Sequence, residues 1–141
     1  MGKNKDGVYL LTIPGRLVGL NDYIDAERRS KEYAARLKRD TQNLIGWYIK
    51  RDLRGAHFTR PVVMAYTWVE KDCRRDKDNI AFAHKFIQDA LVQFGVLKND
   101  GWAEIAGFSD DFAVDKNKAR VEVRIWEYEP DAGNNEKEKQ A

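Results

Sequence analysis

The stretch Pro61-Val62-Val63-Met64-Ala65-Tyr66-Thr67-Trp68-Val69-Glu70 constrains the fold more than any other part of this chain. It is rich in β-branched and aromatic residues, and its one proline stands at the first position, where a strand tolerates it. A charged loop from Lys71 to Lys77 follows, and then a helical pattern runs from Asn79 to about Phe94, where Gly95 stops it. A buried strand that feeds a helix through a charged loop sets an α/β frame, and the rest of the chain must pack on it.

Further elements are readable on both sides. Val8-Tyr9-Leu10-Leu11-Thr12-Ile13 has strand composition and ends at Pro14-Gly15. From about Tyr23 to Arg51 the residues are mostly helix formers without proline, behind a cap at Asn21 or Asp22. Tyr33, Leu37, Leu44 and Tyr48 recur on one helical face, which predicts one long helix with a buried stripe. Arg28, Arg29, Lys31, Arg36, Lys38 and Arg39 lie mostly off that stripe and give the helix a basic outer surface. Two later strands are expected at about Phe108 to Val114 and Ala119 to Tyr128, the second with Val121, Val123 and Ile125 alternating with Glu122 and Arg124. The fold class is therefore α/β: a single domain over residues 1–129, a small mixed β-sheet packed by helices. A polar tail from Pro130 to Ala141 is expected to be disordered.

At 141 residues the chain suits one compact domain. It contains no run of 18 apolar residues and no signal-peptide pattern at its start, so a soluble, cytoplasmic protein without a membrane partner is expected. With one cysteine, Cys73, and two histidines, His57 and His84, neither an intrachain disulfide nor a thiolate or histidine metal cluster is expected. Any metal would be held by oxygen. The net charge of +2 hides an asymmetry: residues 1–75 hold 16 Lys and Arg against 9 Asp and Glu, and the remainder 9 against 14. That distribution suits a protein that holds phosphates with one surface and metal with another, and it also suits an ordinary mixed-charge surface.

The segment that carries chemistry is Arg74-Arg75-Asp76-Lys77-Asp78-Asn79, the helix through Lys85 and Asp89, and Gly95 to Gly101. On an uninterrupted helix Asp78, Lys85 and Asp89 fall within about 40° of one another, opposite Ile80, Ala83, Ile87, Leu91 and Phe94. Phe82 interrupts the polar stripe and is a candidate wall of the site. Mg²⁺ prefers a few carboxylate oxygens and keeps several waters, so Asp76 and Asp78 from the loop and Asp100 from the later turn are candidate ligands, provided that the chain folds back to bring Asp100 to the pair. Lys85 would add a cation near developing charge, and Arg74 and Arg75 would hold a neighbouring phosphate. Simpler roles compete: a helix cap for Asp76 or Asp78, a turn for Asn99-Asp100-Gly101, and a surface ion pair for Lys85 and Asp89. An EF-hand loop does not fit, because Ala81 stands where glycine is required.

Asp76-Lys77-Asp78-Asn79, a lysine and an aspartate four apart at Lys85 and Asp89, Ala90-Leu91, and Gly95 ahead of Asp100 together resemble the RusA family of phage-type Holliday-junction resolvases. The strong likeness covers about residues 74–101; Asn21-Asp22-Tyr23 and Arg120-Val121-Glu122-Val123 are similar more loosely. The resemblance implies a homodimeric α/β endonuclease that cuts four-way DNA junctions in recombination and repair. It implies Asp76, Asp78 and Asp100 as catalytic ligands of Mg²⁺, with Mn²⁺ as a substitute, and a catalytic or DNA-positioning role for Lys85. Asn79 and Asp89 would support the site, and Arg74, Arg75, Lys77, Arg28 and Arg29 would contact DNA. Two departures stand out: five residues separate Asn79 from Lys85 where the family commonly has two, and Asn99 replaces the first of two adjacent acids. The competing function is a non-catalytic accessory protein that binds branched DNA.

Overall fold

Alternation in the strands sorts the chain into two layers. The computed structural model describes residues 7–130, in the order β1 (Tyr9–Pro14), α1 (Leu20–Arg29), α2 (Lys31–Asp52), β2 (Val62–Glu70), α3 (Lys77–Ala81), α4 (His84–Gln93), β3 (Ile105–Val114) and β4 (Arg120–Glu127). The strands form one mixed sheet in the order β1-β4-β2-β3. β4 runs antiparallel to both β1 and β2, and β3 runs parallel to β2 after the α3–α4 crossover. This is a single-domain α/β fold. The expected tail lies, beyond Pro130, outside the described residues.

Every second strand residue faces the helices. Leu11 and Ile13, Met64, Tyr66 and Trp68, and Val121, Val123 and Ile125 are all essentially buried and join Ile45, Ile49, Phe86, Ile87 and Leu91 of the helices in one core. Each large side chain so buried contributes about 1.5–3 kcal/mol. Burial also pushes the Tyr66 hydroxyl well above its ordinary pKa, so it stays neutral while it accepts from Gln88 Nε2 at 3.2 Å.

The long helix expected over residues 23–51 is two helices. Ser30 is extended (φ −173°, ψ 160°), ends α1, and starts α2 by accepting the Tyr33 N–H on its Oγ at 3.0 Å. Serine competes well for the N-cap because its short side chain reaches that amide. The buried stripe of α2 is also displaced from the expected one. Ala34, Thr41, Ile45 and Ile49 are buried, whereas Tyr33 and Leu44 remain 37% and 48% exposed. Both sets have helical spacing and differ by one residue, about 100° around the axis. The set with smaller residues faces inward because it lets α2 approach its neighbours. Gly46 makes the point: a Cβ there would run into the ring of Phe94 at the end of α4.

The edge strand β1 is sealed by the end of α2. The Asp52 carboxylate accepts the Thr12 N–H at 2.8 Å, and Arg51 Nη2 donates to the Thr12 carbonyl at 2.9 Å. Burial pushes the Asp52 carboxyl up, but the Arg51 guanidinium and the Thr12 N–H outweigh it and hold the group below its usual range.

Two outcomes follow. Gly46→Ala should destabilise the protein by about 1–3 kcal/mol in urea unfolding, because overlap with Phe94 outweighs the roughly 1 kcal/mol that alanine gains in helix propensity. Asp52→Ala should cost about 1–2 kcal/mol at neutral pH. A depressed folded-state pKa gives stability that is present above the unfolded value of about 3.9 and is lost as pH falls through the folded value, so the gap between the melting curves of wild type and variant should narrow below about pH 4.

Candidate functional site

The site is built outward from the last residue of β2. Glu70 is buried, and Arg75 answers it with two hydrogen bonds, Nε to Oε1 at 2.9 Å and Nη2 to Oε2 at 2.8 Å. Arg75 Nη1 also donates to the Leu17 carbonyl at 3.0 Å. Only about a tenth of either side chain is exposed. The guanidinium expected to hold a phosphate is thus also engaged within the protein, through one N–H of each of its three nitrogens.

The pair turns the chain back after β2 and delivers Asp76 and Asp78 to the start of α3. Asp76 occupies the N-cap position with an extended backbone, yet its side chain makes no capping hydrogen bond. Asp78 accepts the Asn79 N–H on Oδ1 at 2.9 Å, which leaves its other oxygen open. Both acids are exposed. Asn79 is turned away from them: its Oδ1 accepts the Asn21 N–H at 2.9 Å and so caps the first turn of α1. Gly19 permits this docking, because a Cβ there would sit 2.8 Å from Arg75 Nη1 and closer still to Asn79 Oδ1.

Asp76, Lys77 and Asp78 line a groove of about 530 Å³ with Glu70, Asp72 and, on the opposite wall, Phe112, Ala113 and Val114 of β3. It lies at the carboxyl ends of the parallel strands β2 and β3, where ligand crevices form in open α/β sheets because the chain leaves each strand there as a loop. Arg74, with an 87% exposed side chain, lies 3.6 Å from Asp72 of the lining, and Lys77 Nζ lies 5.4 Å from the centre of the Phe112 ring. The sequence reading did not find Glu70 or Phe112: a terminal strand glutamate and an edge-strand phenylalanine carry no local signature.

The other candidates lie elsewhere. The expected helix over residues 79–94 is interrupted at Phe82 and Ala83, where Ala83 N–H donates to the Ile80 carbonyl and Lys85 N–H to that of Phe82, both three residues back. Lys85 and Asp89 do not line the groove that holds Asp78. Lys85 is exposed and lies 3.4 Å from Asp89, which also receives Gln42 Nε2 at 3.3 Å and so ties α4 to α2. Phe82 packs on Tyr23 of α1 and Phe86 of α4, and is no wall of the groove. Asp100 follows the far end of α4 and lines a separate groove with Lys38, Gln42 and Asp89. Arg28 and Arg29 are exposed in the last turn of α1, the end farther from Asn79, and Arg29 stacks on the Tyr33 ring at 4.3 Å.

Among the described residues no group of three or more His, Cys, Asp or Glu is close enough to hold a metal ion together. The donor chemistry of the groove still suits Mg²⁺, which is commonly held by one or two carboxylates, with waters and substrate phosphate completing its shell. Asp76 and Asp78 supply two such carboxylates, while both oxygens of Glu70 are committed to Arg75.

Glu70→Gln should leave the Arg75 guanidinium buried without its counter-charge and lower stability by about 2–4 kcal/mol in urea unfolding, well beyond the effect of an exposed pair such as Lys85 and Asp89.

No family model matches this chain, and no curated protein matches it either.

Proposed function

We propose that this protein is a Mg²⁺-dependent, structure-selective endodeoxyribonuclease that resolves four-way DNA junctions in recombination and repair, as its RusA-like motif implies. The observation that carries the reading is Asp76: a carboxylate at a helix start that makes no capping bond and lines, together with Asp78, a groove at the carboxyl ends of two parallel strands. Structural acids at that position normally cap the helix.

On this reading Asp76 and Asp78 hold the ion, with Mn²⁺ as a substitute. Bound there, Mg²⁺ supplies an activated water and neutralises charge on the phosphodiester. Arg74 and Lys77 hold phosphates that flank the reacting one, and Arg28 and Arg29 extend the contact along the arm of the junction. Arg75 keeps the loop in place. Lys85 and Asp100 stand outside the groove of their own chain and are not assigned to its first catalytic contacts. A homodimer in the cytoplasm, with one groove per protomer, matches a substrate that has two symmetry-related strands to cut. No described helix is long and apolar enough to cross a membrane.

The test is cleavage of an end-labelled four-way junction and a matched linear duplex, in Mg²⁺ and in EDTA. Wild type should give paired nicks in the junction that require the metal, and Asp76→Asn or Asp78→Asn should reduce the rate roughly 100-fold or more while junction binding persists. Junction binding without cleavage under any metal would instead make this a non-catalytic accessory protein for branched DNA, a reading that the separation of Asp100 from Asp76 and Asp78 favours.

A further inference from the structure

The two edges of the sheet are treated differently. β1 is short, and Arg51 and Asp52 occupy the outward carbonyl and N–H of Thr12. β3 is the longest strand, ten residues, and bonds only to β2. Half of its amides and carbonyls point away from β2; the Ile105 N–H at the start of the strand donates to the Gly101 carbonyl at 3.0 Å, and from Phe108 to Val114 the outward groups have no hydrogen-bond partner among the described residues. Such edges are normally blunted by proline, lysine, a bulge or a covering loop, because they are ready-made pairing templates. Ile105 to Val114 contains no proline, lysine or arginine; its one irregularity, a register shift at Ala106, lies at the start of the strand, and Phe108 and Val114 on it are 50% and 54% exposed.

The sequence of β3 is close to a palindrome about Asp110. An antiparallel copy in register about that residue sets Phe108 against Phe112, Ser109 against Asp111, Gly107 against Ala113 and Ala106 against Val114. The one unfavourable pair is Asp110 against itself, since like charges directly opposite are destabilising. The structure has already dealt with that charge: Asp110 Oδ1 accepts from Trp68 Nε1 at 2.8 Å and lies 2.6 Å from His84 Nε2, which draw the carboxylate toward the helical layer.

We infer that β3 pairs antiparallel with the β3 of a second copy of this chain, in register about Asp110, to give one continuous eight-stranded sheet across a two-fold axis. It takes from the proposed function only that the partner is a second copy. The axis is perpendicular to the sheet, so both helical layers fall on the same face. Each Phe108 meets the partner's Phe112, which closes two cross-strand aromatic pairs. The two Ala113 residues, one in each groove, then stand about 20 Å apart along the joined strands.

The experiment uses the full chain and reads assembly, with neither DNA nor metal present. Sedimentation velocity of wild type should give a dimer. Ser109→Lys/Asp111→Lys sets lysine against lysine in both pairs that flank Asp110 and should raise the dimer dissociation constant roughly 10-fold or more with little change in melting temperature of the monomer. In a Cys73→Ser background, a mixture of Ser109→Cys and Asp111→Cys should form a disulfide-linked heterodimer under mild oxidation, while each variant alone, and Leu10→Cys on the β1 edge, should not. A wild type that stays monomeric overturns the inference. So does a dimer that the two lysines leave intact, which would point to another face such as that of Leu44 and Trp47 on α2, and so does self-cross-linking of Ser109→Cys alone, which would set a different register. Because cleavage is not read, loss of the nuclease hypothesis would leave these outcomes unchanged, and a dimer through another face would leave the nuclease hypothesis standing.

Discussion

The buried pair of Glu70 and Arg75 is the contact on which the candidate site depends. Removing two charges from water costs several kcal/mol per ion, and the cost is recovered only where geometry is good and the remaining donors are used. Here Arg75 meets both carboxylate oxygens and spends its third donor on the Leu17 carbonyl. Three pieces of chain are thereby fixed together: the end of β2, the start of α3 and the segment that leads into α1. Asn79 capping α1 and the tight approach of Gly19 both follow from that clasp. The arginine that looked free to bind phosphate therefore serves as a strut as well.

The crossover from β2 to β3 explains why some candidate residues cluster and others do not. In a parallel pair the connecting helices run back along the sheet, so the start of the first helix and the turn after the last one lie at opposite ends. Asp76 and Asp78 sit at the first of these places and Asp100 at the second, beside Lys38 and Asp89. Residues that follow one another in a motif need not converge within one chain when a whole crossover lies between them.

Much of the frame was legible in local sequence. β1, β2 and β4 were readable because their side chains alternate or are β-branched along a few consecutive residues, and the core positions Val121, Val123 and Ile125 followed directly. The apolar side of the region after Asp78 was also readable: Ile80, Ala83, Ile87 and Leu91 are buried. The two interruptions were not. Phe82 and Ala83 both keep right-handed helical dihedrals, so no glycine or proline marks the break, and Ser30 is a residue that helices tolerate in their interior as well as at their caps.

What the sequence determined by itself was local: strand or helix from periodicity, the scarcity of cysteine and histidine, and two acids at the start of a helix. The tertiary structure decided everything that needed a neighbour from elsewhere in the chain. It chose the stripe of Ala34, Thr41, Ile45 and Ile49 over that of Tyr33, Leu37, Leu44 and Tyr48, turned Arg75 inward, drew Asp110 to Trp68 and His84, and left β3 open while sealing β1. The physical reason is common to all of them. Spacing along the chain states which side chains share a face, whereas which face is buried, and which charge is paired, depends on how closely another segment can approach.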